Sequence, residues 1–544
     1  MKKFILVFVI FAISVIGFSD TFVVAPFVIS GTKVIAGESF HEKEIIPADI
    51  LETSSEFADV FFNSNVFDFV NHGSTGSLLN VNVDGVSSRQ TLVTIDGIKL
   101  NDVANGEFDL SIIEPELLSS VTGIRNNASP MYGANASGGV LELKGINFSQ
   151  DKIGFNFGSH NYKKVFYKKM LDEKTSFFIS NKEFNGNIPD SSGRQSTFYV
   201  KNQNEKNSIS MLFADRRQYT PGSISFPAPG EYTDSKLSVI SFNSKITDNI
   251  YFKAGNTKNN TDNFNLAANK TNPVDNENSI YEISYRNENL AFGISKESQK
   301  AYIESPWGGK YDEKRDIDSI FLEYIIGKSV YFNLRQDKYN DFKDEDSFNI
   351  TYKLSDNLKA GYGEGYSLPT FNQLYWPGFS NPALKAEYSE VYSLNYENKD
   401  LSFFVFNNKY NDLMQYDPLL FKTLNIAKAE IKGFETKYKI NDEIELFYKH
   451  QNPQNKTNKS KLNYRQLNKA GISYKKDNCN LYVNHIGKRY NNGKEFPQTT
   501  VINLKLNFDK SFISIVNLFD KEYTIQDDYE KACREFSFGF EISI

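Results

Sequence analysis

The sequence predicts an all-β protein: a transmembrane barrel of about 22 antiparallel strands whose lumen is plugged by an N-terminal α+β domain. Three observations predict it. Period-two hydrophobicity recurs from about residue 150 to the C terminus. Short polar turns alternate with longer irregular links along that stretch, and a glycine-rich segment of mixed pattern precedes it. Composition narrows the alternatives. With 46 Phe and 31 Tyr the chain carries too much apolar surface for a disordered protein. Past residue 20 no uninterrupted apolar run approaches the roughly 18 residues of a membrane-spanning helix. Charge is near balance, 61 Lys+Arg against 67 Asp+Glu with no long basic stretch, which excludes nucleic acid as a partner.

The N terminus sets the compartment. Lys2 and Lys3 precede an apolar stretch from Phe4 to Ile16, and the small residues Gly17 and Ser19 stand before a cut ahead of Asp20, so residues 1–19 read as a cleaved signal peptide. The mature chain is therefore exported. Residues 20–42 read as an extended segment and linker, residues 43–148 as the α+β domain, and residues 149–544 as the barrel.

In the barrel, Tyr281, Ile283 and Tyr285 alternate with Glu282, Ser284 and Arg286, and Phe434, Thr436 and Tyr438 with Glu435, Lys437 and Lys439. Lipid-facing barrels with a wet lumen and soluble sandwiches both give this alternation, so turn spacing decides. Short turns recur at Asp172-Glu173, Asn204-Glu205, Asp248-Asn249, Asn287-Glu288, Gly327-Lys328, Asp356-Asn357, Asn398-Lys399, Asn441-Asp442, Asp477-Asn478 and Asp509-Lys510. Between them lie links read as longer loops, among them Asn260 to Asn276, Glu304 to Arg315 and Asp412 to Leu424. Short turns on one rim and loops on the other mark an outer-membrane barrel. This topology puts Cys479 and Cys533 at opposite rims, too far apart for a disulfide, and predicts two free thiols. The last strand turns Phe536, Phe538, Phe540, Ile542 and Ile544 outward.

Several motifs carry a family resemblance. The stretches from Thr91 to Asp102 and from Ser129 to Val140 resemble the plug of TonB-dependent outer-membrane receptors, as Gly365 to Tyr375, Asn381 to Glu387 and Asn517 to Tyr523 resemble their barrel. The segment Asp20, Thr21, Phe22, Val23, Val24 resembles the family's TonB box, most of all that of its cobalamin receptors. Such a free β-branched segment can add as a strand to a partner's sheet edge. The chain departs from the family in Asp84-Gly85 where Arg-Gly is usual, in Arg125-Asn126-Asn127 where Arg-Gly-Pro is usual, and in ending on Ile544 rather than an aromatic residue.

The resemblance implies a monomeric, energy-coupled importer in outer-membrane lipid. Its box engages TonB and the inner-membrane motor proteins, and its cargo is a scarce small-molecule ligand: a corrinoid (cobalamin) or, as the alternative, an iron chelate of the ferric siderophore type. A passive porin and a non-transporting adhesin remain as other classes. Ligand contacts fall on the plug apices, at Ser87, Ser88, Arg89 and Gln90 and at Asn101, Asp102 and Asn105, and on Tyr219, Phe226, Trp307 and Trp376 of the barrel loops. Each set has a plainer reading, solvated turns for the polar residues and an interfacial girdle for the aromatics. Arg216-Arg217 fits either an anionic ligand or compensation of lumen carboxylates, and Asp341, Asp344, Glu345 and Asp346 fit either calcium or a solvated loop. The five histidines are scattered, with no nucleophile or phosphate-binding motif. The sequence therefore predicts no enzyme, no cofactor and no assigned metal site.

Overall fold

Alternation along a strand puts successive side chains on opposite faces, and closing such strands into a ring leaves one face for lipid and one for the lumen. The computed structural model shows this arrangement. It describes residues 40, 42–62, 64, 66–71, 76–125, 127–146, 151–186, 188–417, 420–524, 526, 528–529 and 533–544. The leader (1–19) and the box (20–24) lie outside the described residues.

The barrel has 22 antiparallel strands paired in sequence order. The last, Glu535–Ser543, pairs with the first, Lys152–Gly158, placing Phe538 opposite Phe157 and Phe540 opposite Phe155. All ten short turns fall where expected, and five of them share a chemical reason. At Asp172, Asn204, Asn287, Asn398 and Asn441 the residue that opens the turn folds its side-chain oxygen back onto the amides two and three residues on. Asp172 accepts from Lys174 and Thr175, Asn287 from Asn289 and Leu290, and Asn441 from Glu443 and Ile444, all at 2.8–3.0 Å. Such side-chain turns compete with ladder pairing and end strands sharply.

The opposite rim differs from the sequence reading. Ile250–Asn265 and Lys270–Arg286 run as strands of 16 and 17 residues through a stretch expected as a loop. Leu290–Glu304 with Lys310–Ile326, and Leu401–Asp417 with Lys422–Lys439, likewise continue into tall hairpins. Above the lipid both faces of a hairpin meet water, so hydrophobic alternation vanishes while the ladder persists. Within the band the alternation is clean: Ile283, Ile294 and Ile320 are exposed outward, whereas Glu282, Glu297 and Ser319 are buried inward. Cys479 begins a strand beside a short turn, Cys533 lies in the connection before the last strand, and no disulfide joins them.

Inside the ring sits the α+β domain. Its strands are β1 (Lys43–Pro47), β2 (Phe67–Asn71), β3 (Leu79–Val83), β4 (Thr91–Ile95), β5 (Ile98–Lys99), β6 (Leu118–Arg125) and β7 (Gly139–Gly145), with helices α1 (Ala48–Glu52), α2 (Phe57–Phe62) and α3 (Ser129–Tyr132). The main sheet has the order β1-β6-β7-β4-β5, and β2 and β3 form a separate hairpin. The glycine-rich run is explained at two points. Gly133 takes a φ of +87° to end α3, and Gly139, at +136°, lies so close to the Ile124 carbonyl that a Cβ would collide with it.

The lumen is not uniformly wet. The plug core, built on Phe57, Phe61, Phe67, Leu117 and Leu141, runs without a break into wall residues Phe166, Phe178, Tyr199, Leu212, Leu237 and Val239, which point inward. Buried charges join the same interface. Lys164 of the wall reaches Glu114 and Glu116 of the plug at 2.9 and 2.6 Å, with all three side chains inaccessible to solvent. Asp96 accepts from Tyr199 at 2.7 Å, Ser210 at 2.8 Å and Lys201 at 3.1 Å. Asp84, where the family usually has arginine, pairs with Arg125 of the plug at 2.5 Å and with Lys449 of the wall at 3.1 Å, while Arg125 also pairs with Glu435 at 2.9 Å.

Removing one partner of a buried ion set leaves the others uncompensated, which costs about 3–5 kcal/mol. Lys164→Met is therefore expected to lower the denaturant midpoint of the purified protein. Adding Glu116→Gln should recover part of the loss, and an unchanged midpoint in the single variant would contradict the assignment.

Candidate ligand-binding cavity at the outer rim

The plug reaches the outer rim through the loop from Asn101 to Glu107, and most of that loop's polar groups are spent on holding its shape. Asn101 accepts from the Val93 amide at 2.7 Å and donates to the Thr91 and Gly106 carbonyls at 3.1 and 3.0 Å. The loop docks on the tall hairpin: Ala104 N–H donates to Asn276 at 2.9 Å, and the Asp102 carboxyl accepts from Asn259 at 2.7 Å. The second apex is likewise internal. Ser87 caps the turn Ser88–Gln90, Gln90 returns a bond to the Ser87 amide and donates to Glu387 of the wall at 2.5 Å, and Ser88 donates to Glu107 at 2.7 Å. Asn101, Ser87, Ser88 and Gln90 are thus scaffold. Asp102 and Asn105 face the space above, and Arg89 is half-buried without lining it.

That space is a cavity of about 510 Å³ between the plug apex and the wall. From the plug it is lined by Asn80, Asp102, Asn105, Glu107 and Asp109, and from the wall by Gln218, Tyr219, Thr233, Asn259, Thr261, Asn263 and Asn272, with Trp376 and Tyr529 at its mouth. Of the aromatic candidates, Tyr219 and Trp376 line it, whereas Phe226 and Trp307, 80% and 71% exposed, stand on hairpin tips outside it. Trp376 is held by packing against the cluster around Ile303 and Phe371. Tyr219 is set edge-on to Tyr232, ring centroids 5.8 Å apart.

The cavity's charge is largely internal. Arg216, the sole basic residue among the described residues of its lining, pairs with Asp109 at 2.5 Å and also donates to Ser111. Its neighbour Arg217 faces the other way, pairing with Asp234 at 2.6 Å and lying over the Tyr232 ring. Glu107 accepts from Ser88 and, at 2.7 Å, from Asn80. The acidic loop disperses: Asp341 pairs with Arg315, Glu345 accepts from Tyr388 and Asp346 from Gln336. Among the described residues no three His, Cys, Asp or Glu side chains converge on a metal position.

Sequence reasoning missed the amide lining, Asn80, Asn259, Asn263, Asn272 and Gln218. The usable signal was the polar run from Asn256 to Asn265: paired as a strand rather than left as a loop, it sends positions 259, 261 and 263 inward.

Burial, then the neighbouring Asp109 and Glu107 carboxylates, push the Asp102 carboxyl up to about 7, against the hydrogen bond from Asn259. A folded-state value above the ordinary one means that the proton favours the folded form. That contribution is complete below about pH 4 and is lost as pH rises through about 7. Asp102→Asn should therefore match the parent's thermal midpoint below about pH 4 and exceed it by a margin that grows up to about pH 7 and then levels off. A margin independent of pH would refute the assignment.

The comparisons with known proteins follow this geometry. Residues 121–524 match the family described as TonB dependent receptor-like, beta-barrel, and residues 44–140 match the TonB-dependent Receptor Plug Domain. The vitamin B12 transporter BtuB of Vibrio vulnificus (strain YJ016) is 23% identical over 513 residues, 83% of each chain. Among solved structures, the siderophore receptor PirA from Acinetobacter baumannii superposes with a TM-score of 0.72 at 14% identity, covering 92% of this chain and 98% of that one. A variant of the ferric enterobactin receptor PfeA from Pseudomonas aeruginosa, in complex with enterobactin, gives 0.71 at 15%, covering 94% and 100%. These two likenesses show the fold alone.

Proposed function

The chain belongs to the TonB-dependent receptor family and is a TonB-dependent outer-membrane transporter, and from that premise we propose that its cargo is a cobalamin-type corrinoid. The carrying observation is the cavity lining. Amides and hydroxyls from Asn80, Gln218, Asn259, Asn263, Asn272 and Thr261 surround it, and its one arginine is already neutralised by Asp109. A ligand with peripheral amides and little net charge finds donors and acceptors there. Among the described residues of the lining an anionic iron chelate finds no uncompensated cation to offset its desolvation. Tyr219 and Trp376 supply flat apolar surface beside these polar groups, the usual composition of a small-molecule site. The similarity to a vitamin B12 transporter over 83% of the chain supports the same reading.

Transport follows from the blocked lumen. The outer membrane holds no ATP supply, so release inward requires work delivered from the inner membrane. In this proposal, residues 20–24, exposed once the leader is removed, take that work as a strand added to TonB, and one monomer embedded in outer-membrane lipid suffices. Ligand in the outer cavity and TonB at the inner face are then two linked sites.

Titration of the purified receptor with cyanocobalamin and with ferric enterobactin discriminates the cargo. Cyanocobalamin should bind the tighter, and Tyr219→Ala and Trp376→Ala should each weaken it about tenfold, or roughly 1.4 kcal/mol. Tighter binding of the iron chelate would replace the proposal with a siderophore receptor. Deleting residues 20–24 should leave binding intact and abolish uptake into energised cells; uptake surviving the deletion would indicate a passive pore.

A further inference from the structure

The seal between plug and wall is unequal around the ring. On the strands from Lys152 to Val239 it is apolar and ionic. There the inward side chains of Phe166, Phe178, Leu212 and Leu237 continue the plug core, and Lys164 and Lys201 close on Glu114, Glu116 and Asp96. On the five strands from Lys310–Ile326 to Glu387–Glu397 the buried inward residues include the polar Asn333, Arg335, Ser347, Asn349 and Thr351, beside a smaller apolar cluster of Ile317, Tyr339 and Tyr366 on which only Ala134 of the plug's described residues packs. The plug's second apolar cluster, Leu92, Ile124, Met131, Tyr132 and Val140, closes on itself and takes in no wall residue. Glycine at 363 and 365 lets the Asn127 side chain of the plug come close, since a Cβ there would crowd it. Several direct bonds across this face are long, Asn127 to Phe348, Asn349 to Asn127 and Asn135 to Tyr366 each spanning 3.4 Å, while Gln90 donates to Glu387 at 2.5 Å and Asn395 donates to Glu42. Ser137 and Ser367 add one at 3.0 Å.

Two further features fall on the same side. A cleft of about 40 Å³ leads down from the outer cavity, sharing Asp102 with it and lined by Arg315 and Arg335. Each guanidinium has a carboxylate partner, Asp341 or Asp337, yet Arg315 Nη2 and Arg335 Nη1 are buried with no acceptor. The inner end of the seam is also where the plug's N terminus arrives. Phe40 stacks on Tyr331 with centroids 5.6 Å apart, and Glu42 pairs with Lys359 at 3.2 Å, both side chains still reached by solvent. Strand β1, which follows at once, is the edge strand of the plug sheet: among the described strands it pairs with β6 alone, with Ile46 anchored in the plug core and Glu44 accepting from Ser64 at 2.5 Å.

We propose that the plug parts from the wall along the strands from Lys310 to Glu397, and that the ligand passes down this seam. Its carbonyl or phosphate oxygens would meet the spare N–H groups of Arg315 and Arg335, while the apolar and ionic face stays sealed. This rests on the transport reading. Force applied through the N terminus enters the plug beside Tyr331 and Lys359, frees edge strand β1 first, and thus acts where the bonds are long and water can replace them. Opposite, separation would strand the buried charges of Lys164, Glu114 and Glu116.

Reporter cysteines test the asymmetry without any ligand. In a Cys479→Ser, Cys533→Ser background, the buried wall positions Asn333, Ser347 and Thr351 are each changed to Cys on the seam. Ser180, Thr197 and Ser241 are changed on the sealed face. The full chain, with heat-modifiable mobility confirming a folded barrel for each variant, is then labelled with a water-soluble maleimide in sub-denaturing urea. The seam set should react about tenfold faster, a difference of roughly 1.4 kcal/mol in local opening. Three positions on each face keep the ranking readable if one variant fails to fold. Equal rates on the two faces, or faster labelling of the sealed face, overturn the proposal however tightly cyanocobalamin binds. Weak cyanocobalamin binding beside the expected ranking would sink the cargo assignment and leave the seam standing.

Discussion

A backbone group that faces hydrocarbon without a hydrogen bond costs several kcal/mol, and the architecture answers that constraint. The strands from Lys152–Gly158 to Glu535–Ser543 pair in sequence order and then with each other, so no edge is left in the lipid. Closure at 22 strands brings its own difficulty, because a ring of this girth encloses far more space than inward side chains can fill. The plug is the consequence. It must fill the lumen, and every inward residue must then suit a protein surface rather than water.

The wall meets that demand in two ways. Where Phe166, Phe178, Leu212 and Leu237 face in, the joint resembles an ordinary core, and the buried charges within it are compensated by partners from the opposing surface. Where Asn333, Arg335, Asn349 and Thr351 face in, the joint is polar and its bonds can be exchanged for bonds to water. Hydrogen bonds between neutral groups contribute about 1 kcal/mol net each, whereas an uncompensated buried charge costs several times more. A plug that must stay seated at rest and yet yield to force is served by having both kinds of joint.

Much of this was legible in the residues. The ten short turns announced themselves because Asp172, Asn287 and Asn441 carry out the turn chemistry with their own side chains, and strand number and order followed. The tall hairpins did not, because the run from Asn256 to Asn265 is polar on both faces and has no period to detect. At the cavity, Tyr219, Trp376, Asp102 and Asn105 line the space, whereas the side chains of Asn101 and Gln90 are bonded within the protein. Whether an amide braces a loop or faces a ligand depends on which backbone groups fold back within 3 Å of it, and a linear pattern does not encode that. The inward apolar residues from Phe166 to Val239 were obscured for a related reason: a strand with one face on lipid and the other on a protein core loses the contrast on which alternation depends.

Asp84 shows how a departure from family pattern is accommodated. An arginine there would stand beside Arg125 in a site closed to solvent, and the two cations would have to share Glu435. With aspartate, the four charges Asp84, Arg125, Glu435 and Lys449 alternate in sign, and each has an opposite partner within 3.1 Å. Plug and wall then contribute one charge of each sign, so the interface is neutral on both sides once separated. The wall's Lys449 supplies the fourth charge, pairing with Asp84 across the interface at 3.1 Å.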